Sequence, residues 1–162
     1  MVDCEELFVP FLEHENGGRV LLMLNLDSSK SDYTDLLKVA KCFAARGHVV
    51  HVLSPVHYKD PLYRQVFGDL IGTRYYRKCP DLLVDGEFVE YESFNTDDNR
   101  NAFRNMLHNG LSQTDRVVLR HCNLTDGYMR RVIFGRIKDG FPIEEVWIFD
   151  GAVIRLIYKT EG

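Results

Sequence analysis

The residues whose types and spacing offer chemistry are Asp81, Glu90 and Glu92. Asp81 opens the short apolar run Leu82-Leu83-Val84, and the two glutamates lie on the next run, 87–93. Asp85-Gly86 between the runs is a strong hairpin signal, because a tight two-residue turn needs backbone conformations that these two residues tolerate. Side chains alternate along a strand, so Glu90 and Glu92 share a face, and the turn folds Asp81 back toward Glu90. Convergent carboxylates repel one another unless a hard divalent cation sits between them. Mg²⁺ or Mn²⁺ suits such a set, and an ion of this kind polarises a phosphodiester and lowers the pKa of a bound water. The plain alternative is three solvated acids on an exposed hairpin, where charged residues usually lie.

A second cluster, Arg74-Tyr75-Tyr76-Arg77-Lys78, precedes the hairpin. Arg74, Arg77 and Lys78 offer charge to a phosphate backbone and Tyr75 a ring for stacking a base; the competing reading is a solvated edge. Other combinations carry less. His48 and His51, three apart on a strand, face opposite sides and cannot share an ion. His121 is adjacent to Cys122 rather than ligand-spaced, and His108 ends a helix. The Gly17-Gly18 and Asp139-Gly140 pairs are turn chemistry, and no nucleophile elbow with a Ser-His-Asp set is present.

The elements that must position these groups follow from apolar periodicity. Residues 20–24 read as a buried strand entered through the turn Asn16-Gly17-Gly18. A polar loop, 27–32, ends in helix-capping residues, and Leu36, Leu37, Val39, Ala40, Phe43 and Ala44 recur at helical spacing over 33–46, with Gly47 as the stop. A strand at 48–53 follows. The stretch 56–79 is less legible, with a short helix over 63–70. After the hairpin strands, Asn95 to Asp98 supplies caps for a helix to about residue 108, which Gly110 ends. A strand at 116–119, a helix at 126–138 and a closing hairpin of strands 146–149 and 152–158 complete the chain. The segment 8–15 has no assigned element. Helices interleaved with short strands predict an α/β fold: a mixed central sheet flanked by helices.

At 162 residues, the chain suits one domain with a core of its own. The expected divisions are an N-terminal strand extension (1–31), a core (32–122) and a C-terminal helix and hairpin (123–162). Apolar residues make up 45% and charged residues 27%, which excludes a disordered or fibrous chain. A net charge of −4 argues against broad attraction to nucleic acid, though an acidic metal site itself adds negative charge. The four cysteines are scattered without a close pair, as in reduced thiols of a cytoplasmic protein rather than a structural zinc site. No secretory leader pattern and no membrane-length apolar run is present.

The order helix, strand, acidic hairpin, helix, strand resembles the αβββαβ core of the PD-(D/E)XK, or restriction-endonuclease-like, superfamily. Within it the likeness is to the C-terminal tRNA-cleaving toxin domains of contact-dependent growth inhibition proteins and their phage and mobile-element relatives. The resemblance is carried by Asp35 followed by Ala40 and Ala44-Ala45-Arg46-Gly47-His48-Val49-Val50, by Cys79-Pro80-Asp81 through Glu90, and by Ser112-Gln113-Thr114-Asp115-Arg116-Val117-Val118-Leu119. It implies a metal-dependent nuclease acting on RNA, tRNA above all, with Asp35, Asp81 and Glu90 as ligands of Mg²⁺ or Mn²⁺. Gln113 takes the place of a substrate-contacting amide, against the simpler role of a turn residue. The departure is Glu92, which stands where such proteins carry a lysine that positions or activates the attacking water. Some members supply that cation from the following helix, where Arg104 or Arg100 lies here. Arginine stays protonated and so stabilises a pentavalent phosphate without acting as base. The alternative is a non-catalytic nucleic-acid- or protein-binding module of a mobile element. The apolar C-terminal hairpin ordinarily completes the sheet; left unpaired, its edge serves a homodimer or an immunity-type partner.

Overall fold

In the computed structural model residues 5–94 and 99–161 are described. The expected helix caps at Asn95 to Asp98, and Cys4, lie outside them. The chain divides into two compact units, Met1–Phe88 and Val89–Gly162. That division runs inside the 32–122 stretch that the sequence reads as one core.

The first unit is a mixed four-stranded sheet. β1 (Phe8–Glu13) runs antiparallel to β2 (Arg19–Met23), β2 parallel to β3 (Val49–Val52), and β3 antiparallel to β4 (Leu82–Val84). β1 is the segment that carried no expectation. Pro10 lacks an N–H and the register shifts between Pro10 and Leu12, so β1 suits only an edge position and lacks a clean alternation. α1 (Tyr33–Ala45) makes the parallel crossover, burying Leu36, Val39, Ala40, Phe43 and Ala44 along one stripe. Asp32 stands at its N-cap, but with a φ of −98° and ψ of 4° its side chain makes no capping bond, a departure from the expected cap. α2 begins at Pro61, two residues earlier than the apolar pattern suggests, and spans Pro61–Phe67, with a 3₁₀ turn continuing to Leu70. Its start is set by Pro61 in the first turn and by Asp60, whose carboxylate accepts the Leu62 N–H at 2.9 Å. A core of Phe8, Met23, Leu53, Tyr63, Phe67, Leu83 and Phe88 fills the space between α2 and the sheet.

The second unit continues with β5 (Glu87–Glu92), β6 (Arg116–Arg120) and β7 (Glu145–Phe149), paired in parallel, and β8 (Ile154–Lys159), antiparallel to β7. α3 (Asn99–Leu111) and α4 (Asp126–Lys138) are the crossovers. They bury Phe103, Met106, Leu107, Met129 and Ile133 against Val117, Leu119, Val146, Ile148 and Ile157. Thr125 caps α4 by accepting the Tyr128 N–H at 3.1 Å. Each unit therefore has mixed strand pairing with flanking helices, and α1, β3, β4, β5, α3 and β6 follow one another in the expected order with α2 inserted after β3. Among the described residues no helix is long and apolar enough to cross a membrane.

Two local differences have clear causes. Gly110 does not end its helix but lies within α3, where a Cβ would come 2.8 Å from Val117 Cγ1. The glycine is there so that helix and strand can approach closely. The final hairpin turns over four residues rather than two: Asp150 Oδ1 accepts the N–H groups of Ala152 and Val153, each at 2.8 Å, so β8 starts at Ile154. That leaves Val153 58% and Leu156 41% exposed, so β8 is not apolar-buried on both faces.

Two outcomes follow from these contacts. Gly110→Ala gains about 1 kcal/mol of helix propensity but meets the Val117 side chain, an overpacking that costs about 1–3 kcal/mol. Urea unfolding should show net destabilisation, largely relieved in a Val117→Ala background; no relief would mean the close approach is not the cause. In β3, His51 packs edge-on against Phe8, ring centroids 4.7 Å apart. Burial, aided by the charge of Arg19, holds its pKa below the ordinary 6.5. Its stabilising contribution is complete above about pH 6.5 and is lost as pH falls through the lower folded value, because the unfolded chain takes up the proton first. His51→Phe should lose less stability than the parent between about pH 7 and pH 5; equal losses would remove His51 from the acid response.

Candidate functional site

In the first unit the hairpin residues are placed by a tie to β3. Asp85 and Gly86 both take positive φ, 48° and 85°, the two-residue turn that the pair predicts. The Asp85 carboxylate accepts the Val49 N–H at 2.8 Å and meets His48 Nδ1 at 2.5 Å. Partial burial opposes its ionisation, but the contacts with His48 and Val49 outweigh that and hold its pKa below the usual carboxylate value. His48 thus lies just outside β3 and serves the turn.

Asp81 immediately precedes β4, half-buried, with its carbonyl accepting the Leu53 N–H at 2.8 Å. It borders a small crevice, with about 10 Å³ of room for solvent, whose polar walls are Asp27, Lys30, Asp32, Tyr33, Ser54 and Asp81. Asp27 is kept ionised by the hydroxyl and amide of Ser29, at 2.6 and 2.9 Å, with Lys30 adding its charge. Ser54, buried at 7% exposure, donates its hydroxyl to the Asn25 carbonyl. Asp35 lies in the first turn of α1, half-buried, and does not line this cleft; Asp32 is the α1 acid that does. Lys30, Asp32 and Ser54 were not singled out from sequence. The 27–32 loop reads as simple capping, and its one signal was a lysine among aspartates.

In the second unit Glu90 and Glu92 lie half-buried on β5, opposite Val117 and Leu119 of β6. The Glu92 stem runs along α3, its Cγ 3.5 Å from where a Gly110 Cβ would stand. Arg104 is exposed on α3 and lines a groove shared with α4. Gln113 follows α3, and its backbone N–H closes the helix end on the Gly110 carbonyl at 2.9 Å, the turn role.

The 74–78 cluster is partly committed to structure. Tyr75 packs half-buried against the α2 core, and Tyr63 donates its hydroxyl to the Lys78 carbonyl at 2.9 Å. Arg77 has a φ of 76°, rare for a non-glycine residue, and its guanidinium lies 4.1 Å from the Tyr58 ring centroid and 5.7 Å from Tyr76. Arg74 is exposed, 5.8 Å from the Tyr75 ring.

Among the described residues no group of three or more His, Cys, Asp or Glu is gathered so as to hold a metal ion. Mg²⁺ commonly takes only one or two carboxylates and completes its shell with water and substrate phosphate, so the hard oxygen donors around Asp81 suit it by chemistry. The thiols do not compete. Burial raises the pKa of Cys79 and pushes Cys122 up to about 11, leaving both as neutral, poor ligands and nucleophiles.

No protein-family model matches the chain. No curated protein matches it. Among solved structures it is similar to a chain of the CdiA-CT/CdiI toxin and immunity complex from Burkholderia pseudomallei. The two share 16% identity and a TM-score of 0.50, over 85% of this chain and 91% of that one. At that identity the likeness is one of fold, and the fold is that of a chain from a toxin and immunity complex.

Proposed function

We propose that the chain is a toxin-type nuclease domain that hydrolyses RNA phosphodiesters, tRNA foremost, and that its reaction depends on Asp81 with Mg²⁺ or Mn²⁺, Asp35 and Glu90 being the further ligands that the motif resemblance implies. The observation that carries this reading is the setting of Asp81, half-buried at the start of β4 on a cleft that also holds Lys30. The likeness in fold to a chain of a toxin and immunity complex supports the same class. The ion, when bound, supplies Lewis-acid polarisation and a bound water of lowered pKa. The chain's own groups do the rest. Asp81 and its neighbouring acids offer hard oxygens, and Lys30 brings a mobile point charge to a phosphate oxygen. Lys30 so provides an ammonium of the kind that the motif lacks at Glu92.

A second reading has its own observation. Leu156 and Val153 are exposed on and beside the terminal strand of the second unit, a strand edge of the kind that a partner protein extends. On that reading the chain is a binding module whose partner is a protein of the toxin-and-immunity type.

Incubation of the full chain with total tRNA in Mg²⁺ or Mn²⁺ separates the two. The nuclease reading expects cleavage that disappears in Asp81→Ala, Asp35→Ala and Glu90→Ala, falls in Lys30→Ala, and rises by roughly tenfold or more in Glu92→Lys. Intact tRNA with the parent chain and with Glu92→Lys, in either metal, would sink it and leave the binding module.

A further inference from the structure

We infer that the groove between α3 and α4 is a binding site for the phosphate backbone of a single-stranded RNA segment. This rests on the proposed RNA substrate and gives it a second point of attachment. The groove has a volume of about 390 Å³ and is lined by Arg104 from α3, by Tyr128, Arg131 and Arg136 from α4, and by Asp139 just past the end of α4. Arg100, one turn before Arg104, places its guanidinium 5.5 Å from the Tyr128 ring. Among the described residues the lining thus carries three guanidiniums and one carboxylate, with Arg100 beside Tyr128, in a chain whose net charge is −4.

The other arginines of this unit show what partnered cations look like. Arg155 forms a two-pronged pair with Asp126 at 2.8 and 2.9 Å, and Arg130 donates to the Ile157 carbonyl at 3.2 Å. Among the described residues, none of the four groove arginines is held by a carboxylate. Arg136 instead lies half-buried, 5.8 Å from the Phe141 ring, which fixes its fork in place. Like charges gathered without internal partners repel and are destabilising, so a ligand that offsets them gains both attraction and relief.

The lining selects the ligand. Arginine's planar fork matches phosphate oxygens in pairs; Arg100 and Arg104 lie four residues apart on one face of α3, and Arg131 and Arg136 flank the groove face of α4 on either side. Tyr128, half-buried beside a guanidinium, offers a face on which a base can stack. Among the described residues Val132 is the one aliphatic side chain in the lining, and the guanidiniums around it favour a polyanion over an apolar surface. Gly135 leaves the wall between Arg131 and Arg136 open, with nothing within 4 Å of where its Cβ would stand.

The test uses the full chain and a fluorescently labelled single-stranded RNA, without divalent metal so that binding is read apart from cleavage. Arg104→Gln with Arg131→Gln should weaken binding by roughly tenfold or more at low salt. It should also reduce the slope of log affinity against log salt by about 1.4, near 0.7 for each lost phosphate contact. Lys159→Gln, a charge change outside the groove, should leave both unchanged, and an unaltered thermal melt shows that the double variant folds. Arg131→Lys keeps the charge and should retain the slope while losing part of the affinity. Equal binding by the parent and the double variant overturns the inference. So does binding of polyglutamate by the parent in place of RNA, which would make the groove a site for an acidic protein. RNA held through the groove but never cleaved with metal would sink the nuclease reading and leave this one standing. Cleavage unaffected by the double variant would do the reverse.

Discussion

The position of Asp81 depends on one carboxylate that does no chemistry. Asp85 sits in a left-handed turn conformation and is tied to the first residues of β3 through Val49 and His48. A reciprocal bond runs from the Asp85 N–H to the Val49 carbonyl at 2.9 Å. These contacts pin the turn to the neighbouring strand, and the ladder Val50–Val84, His51–Leu83, Val52–Leu82 then has only one register available. A slip of one residue would send Leu83 out of the α2 core and move Asp81 away from the cleft. The placement of Asp81 at one end of β4 is therefore set by hydrogen bonding at the other.

Charge is sorted within each unit rather than spread over the surface. The first unit concentrates aspartates on the 27–32 loop and at Asp81, with Lys30 among them, while the second gathers arginines along α3 and α4. The formal sum of −4 hides both. Composition alone argues against nucleic acid because it averages over patches that a ligand meets one at a time.

Much of the architecture was legible because its signals are local. α1 and α4 were bounded to within a residue by apolar spacing and by Gly47 and Asp139-Gly140 as stops, and Asp85-Gly86 marked its hairpin. β1 was not legible, since Pro10 and a register shift break the alternation that marks a strand. Gly110 was misread as a stop because a glycine needed for close packing and one needed for a turn look alike in sequence; only the Val117 contact separates them. The site was legible in part. Asp81 was found from its motif, whereas Asp32 was assigned to capping because an aspartate before a helix usually caps it, and nothing local reveals that its carboxylate is released to a cleft. The α3–α4 groove was hidden for a further reason. Arg104 and Arg131 are 27 positions apart, and the two sides of the groove meet only once the helices have packed.

The two surfaces of the second unit are mechanically joined. α4 carries Tyr128, Arg131 and Arg136 on its groove side, while Asp126 and Arg130 of the same helix reach across to β8. Arg155 draws the pKa of Asp126 down by hydrogen bonding. Both contacts terminate on β8, at the Arg155 side chain and the Ile157 carbonyl. A protein that added a strand at β8 would meet the element that fixes the lengthwise placement of α4, and with it the spacing of Arg131 and Arg136 against Arg104. A displacement of a fraction of an ångström is enough to misalign a bidentate guanidinium, whose strength depends on two parallel hydrogen bonds. The β8 edge and the α4 side of the groove are thus joined through two named contacts.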